Sequence, residues 1–308
     1  MNYAKVLYPI TITPAMFTAS NVAEPDASVG EVEWAAGTSY TIGQKVIRSS
    51  LHKVFVSTAT GIDAGLPEAT PLRWFDDDEP TNKWAAFDNY VSTSIKKAGT
   101  LTLTVRPGII TDLAFYGLAG DSIRVVCKNA TSLAVYYDQS FSLSDYLSGD
   151  LMWEFYYGVA RQQTRLDITG LMPTDAQVEI TLTPSSVTGT AGIGILALGS
   201  FEPIGLPQQG FKVQLVDYSR IKVDDNGKIK VKKGLNAKNL SGECVNISAA
   251  DAQAVVDVFE RLLGTPCAWA ISSQTNFQYL SAFGLGSADF TESGPTHGTL
   301  SLTVRGTI

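Results

Sequence analysis

The sequence predicts a mainly β protein: an antiparallel β-sandwich in the middle, a β unit with one α-helix after it, and a small aromatic-rich β module before it. Three observations support this prediction. Short apolar stretches with a period of two recur through the middle of the chain, separated by Gly- and Asp-rich turns. Only 248–263 has apolar residues at helical spacing. Aromatic residues cluster in 31–75, a stretch of about 45 residues that cannot hold a large core.

Breaks in composition divide the chain into five stretches. Residues 74–88 contain four consecutive acids and Pro80, which favour an irregular joint between two units. Residues 199–210 are rich in Gly, Pro and Gln and favour a linker. We therefore predict an N-terminal segment (1–30), a small module (31–80), a sandwich (81–200), a linker (201–210) and a C-terminal domain (211–308).

The N-terminal segment has little periodic signal. Residues 6–13 alternate weakly, and Pro9 and Pro14 disfavour a central strand, so we predict an edge strand. Residues 15–26 predict a connector without regular structure.

Composition excludes several classes of protein. A net charge of −7 disfavours general nucleic-acid binding. The sequence has no run of about 18 apolar residues, so we expect no membrane insertion. Residues 1–10 lack the charged start and apolar core of a signal peptide, so we expect folding in the compartment of synthesis. The three cysteines are odd in number and widely spaced, which favours buried free thiols over disulfides or a metal site.

Motifs for catalysis are missing from the sequence. The two histidines, His52 and His297, lie far apart, and the sequence has no nucleophile elbow, HExxH or phosphate loop. The acids at 76–79 could supply oxygen ligands to Ca²⁺, but consecutive acids more often form a solvated turn. We therefore expect no enzyme activity, no cofactor and no metal.

The small module has two short predicted strands at 46–47 and 54–56. Its spacing resembles the chitin-binding module appended to bacterial chitinases and cellulases. The residues that carry the resemblance are Trp34, Tyr40, Gly43, Val46, Phe55, Pro71 and Trp74. The resemblance implies that Trp34, Tyr40, Phe55 or Trp74 stacks on a sugar ring. The alternative is that these aromatic side chains are the core of a very small domain, and 58–66 lacks the additional aromatic pair common in that family.

The predicted strands of the sandwich are 100–105, 123–127, 133–137, 152–157, 178–183 and 193–198. We expect Trp84, Phe87, Phe115 and Trp153 to fill its core. Residues 81–88 resemble the start of jelly-roll, galactose-binding-like sandwiches. That resemblance implies binding to sugars or to partner proteins, and the fold alone does not say which.

A β-hairpin and a helix follow the predicted linker. The strands 220–223 and 228–231 flank 224–227, where Asn226-Gly227 is a strong hairpin signal. Alternation places the apolar residues of both strands on one face and the lysines on the other. The helix has a capping box at Ser248 and Asp251 and ends before Gly264 and Pro266.

The apolar stripe of the helix consists of Ala252, Val255, Val256, Phe259, Leu262 and Leu263. Strands are predicted after the helix at 267–271, 280–283 and 300–304.

The C-terminal domain resembles the split β-barrel of bacteriophage distal-tail and baseplate proteins. The resemblance rests on Asp217-Tyr218-Ser219-Arg220 before the hairpin, on the capped helix followed by residues 265–269, and on residues 300–306. It implies a virion protein assembled in the host cytoplasm, with a homo-oligomeric ring around the tail channel, tube and hub proteins as neighbours, and outward sandwiches that contact a host glycan. We expect the ring interface to include the basic residues Arg220, Lys222, Lys228, Lys230 and Lys232. The alternative is a secreted or cell-surface lectin-like protein.

Overall fold

The computed structural model describes residues 3–145, 161–223, 229–246, 249–272, 279–292 and 298–307. Within these ranges the protein is mainly β, with antiparallel sheets and one α-helix, so the predicted fold class is confirmed. None of the helices there is long and apolar enough to cross a bilayer. The predicted features that lie outside the described residues are the strand at 152–157, Trp153, the turn at 224–227, Lys228, Ser248 and His297.

Strands are numbered in chain order, and the helix is α1. The first seven are β1 (Ala4–Leu7), β2 (Phe17–Ser20), β3 (Ser39–Tyr40), β4 (Lys45–Arg48), β5 (Lys53–Ser57), β6 (Gly61–Ile62) and β7 (Trp74–Pro80). The middle of the chain contains β8 (Ile95–Ala98), β9 (Leu101–Ile110), β10 (Asp112–Tyr116), β11 (Ser122–Asn129), β12 (Val135–Ser142), β13 (Ser144–Asp145), β14 (Arg161–Gln162), β15 (Arg165–Ile168), β16 (Thr174–Thr183), β17 (Thr190–Ile193) and β18 (Ile195–Gly199). The remainder contains β19 (Phe201–Pro207), β20 (Lys212–Asp217), β21 (Arg220–Val223), β22 (Ile229–Lys232), β23 (Asn236–Asn246), α1 (Ala249–Leu262), β24 (Cys267–Ala270), β25 (Ser281–Glu292) and β26 (Gly298–Gly306).

The middle of the chain forms a sandwich of two main sheets. One has the order β12-β11-β16-β9-β2 and the other has the order β15-β10-β18. Alternation along β9 sends Leu101, Leu103 and Val105 into the core, where each is at most 1% exposed. Trp84 and Phe115 lie in the same core, as predicted.

The three-stranded sheet of the sandwich is covered on both faces. All residues of β10 and β18 are buried. One face meets the five-stranded sheet, and the other meets the C-terminal strands. Tyr116 of β10 packs on Phe283 of β25 with ring centroids 5.7 Å apart. This burial on both faces explains why β18 reads as a continuous apolar run in the sequence.

The C-terminal strands form a closed barrel together with the first strand of the chain. The sheet has the order β19-β1-β24-β25-β26-β23, and β19 also pairs with β23, which closes the circle. β20 lies beside the first half of β23. This barrel, with one helix packed on it, agrees with the predicted C-terminal fold.

α1 packs its apolar side on the barrel core. Phe259 lies 5.6 Å from Trp269 and 5.8 Å from Phe290, between ring centroids. The stripe prediction is wrong at one position and incomplete at another. Leu263 is 71% exposed because α1 ends at Leu262, and Val258 is buried although the prediction omits it.

The N-terminal segment supplies strands to both larger units, which corrects two predictions. β1 lies between β19 and β24, so it is not an edge strand. Pro9 lies beyond β1 and removes no hydrogen bond from it. β2 replaces the predicted connector and pairs with β9 at the sheet edge.

The predicted linker at 201–210 is also corrected, because β19 occupies most of it. Ile204 is fully buried in the barrel core, and β19 is paired on both sides. The backbone amide of Phe201 donates to the buried carboxylate of Asp112 at 2.8 Å. Burial and pairing with distant strands therefore outweigh the Gly- and Pro-rich composition.

The acidic joint is a strand rather than an irregular break or a solvated turn. β7 pairs with β5 through this stretch. Lys45 Nζ lies 2.7 Å from Asp77 and 2.6 Å from Glu79, and Lys53 Nζ lies 2.6 Å from Asp76. These lysines on β4 and β5 compensate for the repulsion that the sequence pattern predicts.

Candidate functional site

The four aromatic residues proposed as a sugar platform form the core of the small module. Trp34, Tyr40, Phe55 and Trp74 are 2–8% exposed and pack with Val46. The rings of Tyr40 and Trp74 meet edge to face, with centroids 5.0 Å apart. This burial supports the alternative interpretation, in which the aromatic side chains are the core, and it leaves their ring faces closed to a sugar.

Hydrogen bonds fix the polar ends of two of these rings. The Tyr40 hydroxyl accepts from the Ala35 amide at 2.8 Å. The Trp74 indole donates to Asp63 at 2.9 Å. The Gly65 amide and then this indole lower the pKa of Asp63, because they stabilise its charged form.

A shallow groove of about 360 Å³ lies next to this core on the module surface. It is lined by Leu51, Lys53, Phe55, Pro67, Glu68, Pro71, Trp74 and Asp76. Glu68 is held by Arg48 at 3.0 Å, and Asp76 is held by Lys53 at 2.6 Å. The groove therefore combines an apolar floor with two carboxylates. Among the described residues, no cluster of His, Cys, Asp and Glu is arranged to hold a metal ion.

Glu24 connects the small module to the sandwich. Its carboxylate accepts from the Thr81 hydroxyl at 2.6 Å and lies 2.8 Å from Nδ1 of His52. The imidazole of His52 in turn packs on Trp84 with centroids 4.4 Å apart. No local sequence pattern predicts this contact, since Glu24 and His52 are far apart in the chain.

The predicted hairpin is present as β21 and β22, which among the described strands pair only with each other. Arg220 lies opposite Lys232, and Lys222 lies opposite Lys230. In this register the four basic side chains share one face, as predicted from the alternation. Of the predicted interface set, Lys228 alone lies outside the described residues.

The other face of the hairpin is apolar and open to solvent. Ile221, Ile229 and Val231 are 69%, 63% and 63% exposed. β20 and the first half of β23 form a ribbon that leads to the hairpin. Leu215 and Leu235, on or next to this ribbon, are 75% and 56% exposed. A cluster of exposed aliphatic side chains on a projecting ribbon is typical of a surface that another molecule covers.

The motif before the hairpin builds the bend that leads into it. Asp217 Oδ1 accepts from the Ser219 amide at 2.9 Å and from its hydroxyl at 2.6 Å, which lowers the pKa of Asp217. The Ser219 hydroxyl accepts from the Gly234 amide at 2.9 Å. A Cβ at Gly234 would lie 2.4 Å from the Tyr218 carbonyl oxygen, so the two strands approach closely there only because residue 234 is glycine.

Charged groups are half-buried where the ribbon meets the sandwich. Arg165 is paired with Asp167 and lies over the ring of Tyr116 at 5.2 Å. Burial raises the pKa of Asp167. Burial, followed by the charge of Arg165, lowers the pKa of Lys238 to about 8. The positive charges of Arg165 and Lys238 therefore repel each other where the ribbon meets the sandwich.

An apolar cleft of about 470 Å³ lies between the barrel and the sandwich. It is lined by Val6, Tyr8, Ile10, Ile109, Gly199, Ser200, Glu202, Val258, Arg261 and Leu262. Ile109 and Tyr8 are 68% and 47% exposed, and Arg261 pairs with Glu202 at 2.7 Å on one wall. This cleft was not predicted from the sequence. Its one local signal was Ile109 next to Ile110, since adjacent apolar residues on a strand place one outside the core.

The hairpin and the cleft lie at opposite ends of the barrel. β23 runs from the ribbon, at its first residues, to α1, which follows its last residues. Antiparallel pairing through β19 places the end of β1 and the start of β19 at the α1 end. Tyr8, Glu202 and Leu262 of the cleft therefore lie away from the end where the hairpin begins.

No protein-family model and no curated protein matches the sequence. Among solved structures, the chain is similar to a mutant of chitosan-binding module 1 from a chitosanase/glucanase of Paenibacillus sp. IK-5. The similarity has a TM-score of 0.27 and 12% identity, and it covers 37% of this chain and 81% of that chain. At this TM-score the similarity carries no argument about fold or function.

Proposed function

We propose that this chain is a structural protein of a bacteriophage virion. In this proposal its barrel forms a homo-oligomeric ring in the tail tip or baseplate, around the tail channel. The sandwich and the small module face outward. The observation that carries the proposal is the hairpin of β21 and β22, which pairs with no other strand in the described part of the chain and is basic on one face and apolar on the other.

An isolated two-stranded ribbon has little stability of its own. A two-stranded hairpin with no third strand and no packed face is marginal in water. Like charges directly opposite each other weaken it further. A partner with an apolar and acidic surface would correct both defects. The chain outside 211–308 has 13 basic and 21 acidic residues, a balance of −8, so a second copy offers such a surface.

The ring implies further partners and a location. Its neighbours would be the tail tube and hub proteins, and a glycan on the host surface would contact the outward modules. The protein would be assembled in the host cytoplasm and would reside in the virion. The proposal includes no catalytic role.

Native mass spectrometry and negative-stain imaging of the full chain test the proposal. We expect closed rings of one fixed copy number. The fraction of chains in rings should fall as the salt concentration is raised, because the hairpin contact is partly electrostatic. A monomer at all concentrations and salt conditions would refute the ring.

A second candidate function is carbohydrate binding by a secreted or cell-surface lectin-like protein. The groove on the small module favours it, because an apolar floor with flanking carboxylates suits a sugar ring that carries hydroxyl or amino groups. Retention on chitin and chitosan beads measures this activity. Leu51→Arg places a long cationic side chain in the groove and should abolish retention, whereas Leu72→Arg, at a 98% exposed position outside the groove lining, should leave it unchanged. Equal retention of the two variants would place any sugar site elsewhere.

A further inference from the structure

We propose that the cleft between the barrel and the sandwich receives the hairpin of a second copy of this chain. The inference rests on the proposed function, since it assigns the contact by which copies of the chain associate. It names both sides of that contact: the apolar face of the hairpin, with Ile221 and Val231, and the cleft, with Tyr8 and Ile109.

The cleft has the shape and composition to hold aliphatic side chains. Its volume of about 470 Å³ is lined mainly by apolar residues of β1, of the segment just after β1, of β9 and of α1. Ile109 is 68% exposed in this structure, which is costly for an isoleucine beside an apolar cleft. Insertion of Ile221 and Val231 would remove apolar surface from water on both copies.

The charges near the cleft complement those of the hairpin. Asp175 lies opposite Ile109 across β9 and β16. Glu202 lines the cleft, and Asp257 precedes Arg261 by one helical turn. The cation on the cleft wall, Arg261, is paired with Glu202 at 2.7 Å. Glu202 and Arg261 neutralise each other within the lining, so the acidic charge offered to a basic hairpin is that of Asp175 and Asp257 beside the cleft.

The placement of the two surfaces determines the symmetry of the contact. Because the hairpin and the cleft lie at opposite ends of the barrel, they are different surfaces of one chain. A contact between them in two copies is heterologous, and each copy keeps one hairpin and one cleft for further neighbours. Repetition of that contact builds the ring of the proposed function, whereas a symmetric hairpin-to-hairpin contact would stop at a dimer.

Disulfide trapping between copies tests the inference. One variant carries Ile221→Cys on the hairpin and the other carries Ile109→Cys in the cleft. The native cysteines Cys127, Cys244 and Cys267 are buried, and burial raises the pKa of each thiol to about 12, so they stay unreactive. We expect a covalent dimer on mild oxidation of the mixture, and none when either variant is oxidised alone.

A matched control replaces the cleft variant by Val187→Cys, which is 90% exposed on the turn between β16 and β17. This turn contacts the start of β9 through the Gly99 amide and the Gly189 carbonyl, at the other end of the strand from Ile109. We expect no dimer with Val187→Cys. A dimer of equal yield there would overturn the inference, because it would report random collision.

The remaining outcomes separate this inference from the proposed function. Rings without a mixed disulfide would overturn the cleft contact and leave the ring standing. A disulfide of Ile221→Cys with itself would indicate a symmetric contact and overturn the inference. A monomeric wild-type chain would overturn both.

As a second measurement, Ile109→Asp should weaken self-association by at least about ten-fold without changing the circular dichroism spectrum. Unchanged association would count against the cleft.

Discussion

Arg220 lies directly opposite Lys232 across the hairpin, so two cations face each other on adjacent strands. Lys222 and Lys230 repeat the arrangement two residues along. Like charges in this position destabilise a β-ribbon, by a few tenths of a kcal/mol up to about 1 kcal/mol per pair. The free hairpin is therefore less stable than one with opposite charges at these positions. We expect an acidic partner to relieve this repulsion.

Reversing the charge of one strand should prevent association. In the double variant Lys230→Glu and Lys232→Glu, each new carboxylate lies opposite a cation of β21, so the hairpin itself should be no less stable. That face would then carry two cations and two carboxylates, so it would lose its net positive charge and with it the attraction to the acids around the cleft. We expect loss of the oligomer in native mass spectrometry. The control Lys96→Glu with Lys97→Glu makes the same charge change on β8 of the sandwich and should still assemble. Normal assembly of the hairpin variant would remove the hairpin from the interface.

Truncation of the central residue of α1 should cost much of the stability of the barrel. Phe259 is 6% exposed and contacts both Trp269 and Phe290, so Phe259→Ala leaves a cavity between the helix and the sheet. We expect a loss of about 3–5 kcal/mol in the free energy of unfolding by urea. Leu263→Ala, one residue past the helix and 71% exposed, should change it by less than about 0.5 kcal/mol. Similar effects of the two substitutions would show that the helix packs differently.

A single methyl group at the bend should displace the hairpin. Gly234→Ala introduces a Cβ within 2.4 Å of the Tyr218 carbonyl oxygen, so the two strands must separate. We expect weaker self-association and faster proteolysis in 218–235, with the barrel still folded. Gly298→Ala is the control, because its Cβ would meet its nearest neighbour at 3.5 Å, an ordinary contact. If Gly234→Ala assembles like the wild type, the bend does not set the position of the hairpin.

Ionisation of the Asp88 carboxyl group should lower the free energy of unfolding as pH rises. Burial raises its pKa from 3.8 to about 6, although the Thr93 hydroxyl and the Tyr90 amide both donate to the carboxylate. The protonated form therefore favours the folded state, and this contribution is complete below about pH 4 and is lost as pH rises through about 6. Because Asp88 keeps some solvent contact, we expect a loss of only about 1 kcal/mol.

Asp88→Asn should abolish that dependence and be more stable than the wild type at pH 7. Thermal melts of both proteins between pH 4 and pH 7 measure the difference. Parallel curves for the two proteins across this range would show that Asp88 titrates at its ordinary pKa.

The small module should be removable as a unit. A deletion that joins Asp26 to Thr81 removes β3 to β7 and leaves every strand of the sandwich and the barrel in place. It also removes His52, which packs on Trp84, so we expect a soluble folded protein with greater solvent exposure of the Trp84 indole by fluorescence. A matched deletion of β9, a central strand, should give insoluble protein. Insoluble protein from the first deletion would show that the sandwich depends on the module.

Local patterns in the sequence predicted the elements whose structure is decided locally. The alternation in β9, the Asn-Gly hairpin signal and the helical stripe around Phe259 each gave the correct element. β19 and β7 were not predicted, and β1 was predicted only as an edge strand at 6–13, because distant partners stabilise all three. β1 and β19 are short or Pro-containing stretches held by strands on both sides, and β7 depends on Lys45 and Lys53.

Of the two surfaces in the proposed contact, the hairpin could be predicted from the sequence and the cleft could not. The basic and apolar faces of the hairpin follow from a period of two within a few residues. The cleft is assembled from β1, β9, β19 and α1, which are up to about 250 residues apart, and no local pattern encodes such a juxtaposition.

The position of β1 inside the barrel has a consequence for the timing of synthesis. β1 is made first, but it pairs with β19 and β24, and the circle closes only when β25 and β26 have joined. At about 5–20 residues per second, the nascent chain spends most of its translation with an open barrel. The sandwich can fold on the ribosome, whereas the barrel must wait for release of the last strand. An association that needs the closed barrel therefore cannot form before β26 has left the ribosome.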